Sequence, residues 1–139
     1  MTTLLDTNIV IAMLDNNDRF HKWAIEKFNE CKTQGPMVIS DIVYCEASIG
    51  MESLEAMDEA ISRLGIDRIP SSNQSLFRAG RAFKHYKEVN RGPKTGVLPD
   101  YTIGAIAETA EVPLLTTNPA DYTSYFPAIT IIDPSATTS

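Results

Sequence analysis

Two hydrophobic patterns alternate along the 139-residue chain. Short apolar runs predict buried strands, and segments in which apolar residues recur every three or four positions predict amphipathic helices. The runs lie at 2–5, 37–39, 66–69, 112–115 and 128–132, and the helical segments at 9–13, 18–31, 41–49, 53–64, 73–90 and 98–107. Because strands and helices alternate throughout, we expect an α/β protein, a three-layer α/β/α sandwich with a central parallel sheet.

The size and composition describe one globular domain. The chain is 43% hydrophobic and 22% charged, which is enough apolar material for a proper core. We assign residues 1–133 to a single domain and residues 134–139 to a short polar tail that we expect to be frayed. No apolar run reaches the roughly 18 to 20 residues of a membrane helix, and no signal segment is recognisable, so we expect a cytoplasmic protein without a membrane partner. Cys31 and Cys45 lack CxxC spacing and are interpreted as reduced thiols.

A basic segment stands out against the net charge of −6. Residues 78–94 carry six Lys or Arg and one Glu, a local charge of +5 that leaves −11 for the rest of the chain. These basic residues are Arg78, Arg81, Lys84, Lys87, Arg91 and Lys94. Four of them, Arg81, Lys84, Lys87 and Arg91, fall largely on one face of a predicted helix. This face lies away from an apolar stripe formed by Leu76, Ala79, Phe83 and Tyr86. A basic face is usually only a solvated surface. Because nearly all the charges of this segment are positive in an otherwise acidic protein, RNA or DNA binding is an equally good interpretation.

Three acidic residues occupy positions that call for an explanation. Asp6 ends the first apolar run, at the carboxyl end of a predicted strand, where ligands bind in parallel α/β sheets. Glu46 shares a helix face with Ile42 and Ile49, and Asp100 lies in the first turn of a helix. Each has a structural alternative. Asp6 can cap the following helix, Glu46 can reach solvent at the boundary of the core, and Asp100 is favoured by the helix dipole alone.

The fourth apolar run repeats the arrangement of the first one. It ends in Thr116, Thr117 and Asn118, and Asp121 follows shortly after. Since the carboxyl ends of parallel strands meet at one edge of a sheet, we expect the polar residues at these ends to converge there. The converging set is Asp6, Glu46, Asp100 and either Asn118 or Asp121.

This order of motifs resembles the PIN-domain ribonucleases, and most closely the VapC-type toxins of toxin–antitoxin pairs. The matching segments span nearly the whole chain. They are Leu4-Leu5-Asp6-Thr7-Asn8, the helical Glu46, Pro99-Asp100 leading into residues 103–107, and residues 115–118 followed by Asp121-Tyr122. No single motif decides the matter, but four segments in register make the combination specific.

The resemblance implies a PIN-like fold and an endoribonuclease that requires Mg²⁺ or Mn²⁺ to hydrolyse RNA phosphodiester bonds. It makes Asp6 and Asp100 direct metal ligands and Glu46 a third acidic position. The family often has an acid where this chain has the neutral Asn118, which can still coordinate through its carbonyl, while Asp121 can act through a water. The neutral Asn118 weakens the prediction of a second metal ion more than the prediction of the first.

The chemistry also fits the residue types without appeal to a family. Phosphodiester hydrolysis needs a nucleophilic water and neutralisation of charge on the phosphoryl oxygens, which oxygen-ligated hard cations supply. Our hypothesis is that Asp6 and Asp100 hold the ion, and that Glu46 helps to hold it or positions the water. Thr7, Thr116 and Asn118 would steer phosphate or water. The predicted RNA-binding residues are Arg78, Arg81, Lys84, Lys87 and Arg91.

The resemblance further implies two protein partners. Toxins of this kind form homodimers, and a small cognate antitoxin holds them inactive by covering the acidic site, often with an Arg. The segments 20–31 and 53–64 are candidate docking faces for such a partner.

Two rival functions stay open at this point. A haloacid dehalogenase-like phosphatase would use Asp6 as a nucleophile, but it needs a second Asp where Asn8 stands. A PIN-like fold kept as a catalytically weak RNA- or partner-binding module would explain the neutral Asn118, although three acids are intact.

Overall fold

The computed structural model describes the backbone of residues 1–90 and 97–137. Its five strands are β1 (Thr3–Leu5), β2 (Met37–Ile39), β3 (Ile66–Arg68), β4 (Leu114–Leu115) and β5 (Ile131–Ile132). They form one sheet in the order β3-β2-β1-β4-β5, and every pairing is parallel. The predicted parallel sheet is therefore confirmed, with β1 at its centre.

Helices connect the strands and complete the three-layer α/β/α fold predicted from the sequence. They are α1 (Thr7–Leu14), α2 (His21–Lys32), α3 (Asp41–Ser48), α4 (Leu54–Leu64), α5 (Asn73–Asn90), α6 (Val97–Ala110) and α7 (Ala120–Thr123). Local chemistry sets several of their ends. Ser40 and Ser53 accept backbone N–H groups as caps of α3 and α4, and α4 ends at Gly65, whose φ of 71° is left-handed.

Two groups of buried side chains hold the layers together. The main core surrounds the central strands, where the side chains are 0% exposed at Leu4, Leu5, Ile39, Leu114 and Leu115. A second core joins α5 and α6 to the segment after α7, and its members are Ala79, Ala82, Tyr86, Tyr101, Ala105 and Phe126. Gly104 allows α6 to pack closely against Phe126, because a Cβ at this position would lie 2.5 Å from Cδ2 of Phe126.

Two sequence predictions about buried faces are wrong. The predicted stripe on α5 included Leu76, which is 47% exposed. The buried positions are Ser75, Ala79, Ala82 and Tyr86. Small residues face α6 because the two helices approach closely, which rotates the buried face away from Leu76. Ile49, just beyond α3, is 83% exposed, so Glu46 does not share an apolar core face with it.

Residues Pro134–Thr137, within the predicted polar tail, form a 3-10 helix after β5, and residues 138–139 lie outside the described residues. Within the described part of the chain, no helix combines the length and the apolar character that crossing a membrane requires.

Candidate metal centre

Asp6 is the buried centre of the site. It follows β1 directly and is only 4% exposed. Its carboxylate accepts hydrogen bonds from the Thr7 backbone N–H at 2.7 Å, from Asn8 Nδ2 at 3.2 Å and from Thr116 Oγ1 at 2.6 Å. Burial raises the pKa of Asp6 above its ordinary value, and these donors only partly oppose that effect. Asp6 therefore caps α1, as the structural alternative proposed, and also presents a poorly solvated carboxylate at the sheet edge.

The pairing of β1 with β4 explains why Thr116 reaches Asp6. Leu5 is in register with Leu115, so the next residues of the two strands lie side by side at the same edge. The contact continues beyond the strands. Asn8 Oδ1 accepts the Thr117 N–H at 3.2 Å, and Thr116 Oγ1 accepts the Asn118 N–H at 3.0 Å. This network fixes the start of α1 against the loop after β4.

Glu46 reaches the same edge from α3. The Thr7 hydroxyl donates to Glu46 Oε1 at 2.7 Å, across 39 positions of sequence. Glu46 is partly buried, and its face of α3 turns toward the start of α1. Thr7 thus links Asp6, through its backbone N–H, to Glu46, through its hydroxyl.

Two further carboxylates act on this pair. Asp100, in the first turn of α6, is partly buried, and Asp121, in the first turn of α7, is exposed. Burial first, and then the charges of Asp121, Asp6 and Glu46 in that order, raise the pKa of Asp100 to about 7. Asp121 also raises the pKa of Asp6. The charges of these carboxylates therefore act on one another at the same edge of the sheet.

Asn118 occupies a different position from these acids. Its side chain is exposed, and the hydrogen bond it makes to Thr116 comes from its backbone N–H. Of the two candidates for the fourth acidic position, Asp121 is the one whose charge acts on Asp6 and Asp100.

The donor set fits a hard divalent cation. Among the described residues, no Lys or Arg forms an ion pair with any of the four carboxylates. Nor does the described part of the chain group three His, Cys, Asp or Glu side chains closely enough to enclose an ion as they stand. The buried hydroxyl of Tyr122 lies next to Asp6 and Asp100 and lowers the pKa of both carboxylates. Carboxylate oxygens without an ion-paired cation suit Mg²⁺ or Mn²⁺, and Asp6, Asp100 and Glu46 are the residues that would hold it.

A family model for the PIN domain matches residues 3–123, which include all four carboxylates. The chain belongs to the PIN domain family. This is a family of nucleases, and the resemblance described from the sequence is confirmed at the level of family and fold. No curated protein gives a match to the sequence.

Solved structures similar to this PIN domain include several toxin–antitoxin proteins. VapBC2 from Rickettsia felis, bound to a promoter DNA fragment, is 18% identical with a TM-score of 0.73, covering 96% of this chain and 98% of that one. A toxin–antitoxin complex from Klebsiella pneumoniae is 26% identical with a TM-score of 0.65, covering 95% and 97%. A sarcin-ricin loop cleaving toxin from Mycobacterium tuberculosis is 15% identical with a TM-score of 0.54, covering 81% and 86%.

The basic residues of α5 in this PIN domain fall into two kinds. Arg78 is already engaged, since it donates from Nε to Glu108 Oε1 at 2.7 Å and from Nη2 to the Tyr125 carbonyl at 2.8 Å. Its guanidinium also lies 4.7 Å from the centre of the Phe126 ring. In contrast, the side chains of Arg81, Lys84 and Lys87 are exposed. Arg91 and Lys94 lie outside the described residues.

Two residues near the acids were not singled out as site residues from the sequence. Asn8 donates to Asp6 and accepts from the Thr117 N–H in the loop after β4. Its position two residues after a helix-capping acid was the sequence feature that could have indicated this role. The sequence did not indicate a role for Tyr122 in the site, because a Tyr among apolar residues is usually interpreted as part of the core.

Proposed function

We propose that this PIN domain is a Mg²⁺- or Mn²⁺-dependent endoribonuclease and the toxin of a toxin–antitoxin pair. The observation that carries the proposal is the meeting of carboxylates from β1, α3, α6 and α7 at one sheet edge, with no ion-paired Lys or Arg among the described residues. Such a group of charges is unfavourable unless a cation joins it. A divalent cation there would polarise the phosphoryl group and lower the pKa of a bound water.

The residues have distinct roles in this proposal. Asp6 and Asp100 hold the ion. Three donors orient the two oxygens of Asp6, so this residue sets the position of the site. Glu46, oriented by the Thr7 hydroxyl, completes the site or holds the attacking water. Asp121 is exposed at the rim and contributes negative charge through water.

RNA is the proposed substrate. The sarcin-ricin loop cleaving toxin from Mycobacterium tuberculosis supports an RNA target for a protein of this fold. The exposed cations of α5, Arg81, Lys84 and Lys87, would attract the RNA backbone without reading its sequence. Arg78 is no longer part of this proposed surface, because Glu108 and the Tyr125 carbonyl occupy its donors.

Cleavage of a mixed RNA pool tests the activity. Purified protein is incubated with Mg²⁺, Mn²⁺ or EDTA, beside the Asp6→Asn variant and the Asp67→Asn variant, which removes an exposed charge from β3. We expect discrete fragments from wild type and Asp67→Asn in either metal, and none in EDTA or from Asp6→Asn. Undiminished cleavage by Asp6→Asn would overturn the metal proposal. RNA binding without cleavage, unchanged by EDTA, would favour the binding-module alternative.

A small antitoxin is the proposed partner, and one groove suits it. The similar structures from Rickettsia felis and Klebsiella pneumoniae are complexes of toxin with antitoxin, which supports a partner of that kind here. A groove of about 310 Å³ runs between α1 and the end of α3. Its lining residues are Ile11, Leu14, Asp15, Ala47, Gly50 and Met51. Since Ala47 follows Glu46 directly, an apolar segment in this groove can place a following Arg on the acids.

The exposed apolar residues agree with this placement. Ile49, which precedes Gly50 of the groove, is 83% exposed, and Leu54, in a neighbouring pocket that shares Met51 with the groove, is 65% exposed. The docking faces considered from the sequence were α2 and α4. Of these, α4 contributes Leu54, whereas the exposed Ile11 and Leu14 lie on α1 and Ile49 lies just after α3. Co-purification of the Ile49→Glu variant with the cognate antitoxin tests the surface. We expect loss of the complex with unchanged RNA cleavage, and retention of the complex would contradict this docking face.

The homodimer implied by the sequence resemblance stays a prediction. Light scattering on the purified protein measures it directly.

A further inference from the structure

A group of aromatic side chains lies where α5, α6 and the segment after α7 meet. Ring contacts join its members, which are Phe83, His85, Tyr86, Tyr101, Tyr125 and Phe126. We call these six residues the aromatic group. Three of its rings are not fully covered, because Phe83 and Tyr125 are partly exposed and His85 is exposed. The aromatic group therefore belongs both to the second core and to the surface.

Tyr125 has a ring that its neighbours hold without stacking on it. The centre of this ring lies 4.9 Å from that of Tyr101, 5.7 Å from that of His85 and 6.4 Å from that of Tyr86. The angles between the ring planes are 59°, 74° and 63°, so none of the three neighbours is parallel to Tyr125. Within the described part of the chain, no ring fills a parallel-stacked position on Tyr125. These contacts act in addition to the bond that Arg78 donates to the Tyr125 carbonyl, so the ring does not depend on Arg78 alone.

Exposed cations of α5 adjoin the aromatic group. Lys87 Nζ lies 5.6 Å from the centre of the Phe83 ring, and Lys84 directly precedes His85. Both lysines belong to the proposed RNA surface, in a chain whose net charge is −6. Single-stranded nucleic acids are bound where cations follow the backbone and aromatic rings stack on the bases. The charge beside the aromatic group therefore suits a phosphate backbone.

The carboxylates adjoin the aromatic group through α6 and α7. Tyr101, which contacts Tyr125, directly follows Asp100, and Tyr125 comes four positions after Asp121. A strand with one phosphate at the carboxylates and its backbone along the lysines of α5 therefore passes the aromatic group. Proteins that bind unpaired RNA commonly stack splayed bases on Tyr, Phe or His side chains.

We propose that the Tyr125 ring is a stacking platform for an unpaired base of the RNA, with His85 at its edge, beside the phosphate that is cleaved. This inference rests on the proposed function, because it takes RNA as the ligand of the same site. It assigns Tyr125 a contact with a base and none with the metal. The ring therefore acts on RNA affinity, and it makes the site select RNA that is unpaired next to the cleaved bond.

Binding of a short single-stranded RNA of mixed sequence tests the proposal. Its Kd is measured by fluorescence anisotropy in EDTA, where no cleavage occurs, and is compared with that of the same ribose-phosphate chain carrying abasic sites. The variants are Tyr125→Leu, Tyr125→Phe and Tyr125→Trp. Tyr44→Leu is the matched control, because Tyr44 is also a partly exposed Tyr beneath a cation, with Arg68 lying 4.5 Å from its ring centre. Thermal unfolding reports the fold of each variant.

We expect Tyr125→Leu to raise the Kd for the RNA about tenfold, and Tyr125→Phe, Tyr125→Trp and Tyr44→Leu to keep the wild-type Kd. The abasic chain should bind wild type and Tyr125→Leu equally weakly, because neither complex contains the stack. The dependence of Kd on salt should stay unchanged in Tyr125→Leu, since the stack neutralises no phosphate. In Mn²⁺ the same variant should raise KM and leave kcat unchanged.

Fluorescence of Tyr125→Trp tests the stack without removing the ring. Trp23 is the only Trp of the wild-type chain, so the wild-type signal can be subtracted. Emission of the new Trp should be quenched by the RNA and not by the abasic chain. Equal quenching by both chains would contradict the stack, even if Tyr125→Leu does not fold.

The remaining outcomes separate this inference from the proposed function. Wild-type affinity in Tyr125→Leu, an equal loss in Tyr125→Phe or Tyr44→Leu, or an equal loss on the abasic chain would each overturn the stacking platform and leave the nuclease standing. Stacking by a wild-type protein that cleaves no RNA in Mg²⁺ or Mn²⁺ would overturn the nuclease and leave the platform standing. Failure of wild type to bind RNA would overturn both.

Discussion

Replacing Asp100 by Asn should stabilise the protein in the absence of metal. The pKa of Asp100 is raised from 3.8 to about 7, by burial first and then by Asp121, Asp6 and Glu46. Between these two values the folded protein binds a proton that the unfolded chain has lost, so stability falls as the pH rises through this window. Above it, the ionised carboxylate is a continuing cost that the neutral Asn avoids.

The size of the effect follows from the shift. For a fully buried carboxylate, a rise of about three pKa units corresponds to about 4 kcal/mol in the free energy of unfolding. Asp100 is only partly buried, and solvent screening reduces this to about 1–2 kcal/mol. For a chain of this length, that gain raises Tm by about 3–8 °C. At pH 4 the wild-type carboxyl is protonated in the folded state, and the difference should nearly vanish.

Urea unfolding in EDTA at pH 4 and pH 8 measures the prediction. Asp67→Asn, which removes one negative charge from the exposed surface of β3, controls for net charge. The reasoning is refuted if Asp100→Asn is no more stable than wild type at pH 8, or if Asp67→Asn gains as much. Added Mn²⁺ should then stabilise wild type at pH 8 and leave Asp100→Asn nearly unchanged, because the ion stabilises only a folded state that binds it.

Three further predictions concern packing and charge. Gly104→Ala should destabilise the protein by about 1–3 kcal/mol, because the new Cβ would lie 2.5 Å from a buried aromatic carbon. Gly80→Ala should instead stabilise it by about 0.5–1 kcal/mol, because nothing lies within 4 Å of the new Cβ and Ala favours a helix more than Gly does. Chemical denaturation decides both, and equal effects would contradict the packing argument. Replacing Lys84 and Lys87 together by Ala should raise KM for RNA, leave kcat unchanged and make KM less dependent on salt. An unchanged salt dependence would show that RNA does not follow this face. Arg78→Met should lower stability by about 1–3 kcal/mol and leave KM unchanged, and a raised KM would return this residue to the RNA surface.

Much of the fold could be predicted because it depends on neighbours along the chain. The short apolar runs mark the strands, and residues such as Ser40 and Gly65 mark helix ends, since a cap acts on the turn beside it. The approach of Asp6 to Thr116 also follows from simple rules. Both residues end apolar runs, and parallel strands bring such ends to one edge.

The rest of the site depends on pairings that no local pattern contains. The basic pattern of α5 shows that Arg78 is charged, but not that Glu108, 30 positions later, binds it. Helical periodicity places Glu46 on a face, but the partner of that face is set by the packing of α3 against α1. The stripe on α5 was misplaced at Leu76 for the same reason. A helix that packs on another helix buries its small residues, while apolar periodicity favours the large ones.

The position of β1 in the middle of the sheet has a consequence for synthesis. Asp6 is synthesised 110 positions before its neighbour Thr116, and the Thr116 N–H is held by the carbonyl of Ile132 on the edge strand β5. A nascent chain that has not yet released β4 and β5 has no completed sheet edge and no assembled group of carboxylates. The order of the strands therefore delays the appearance of any activity at this site until β4 and β5 have been synthesised.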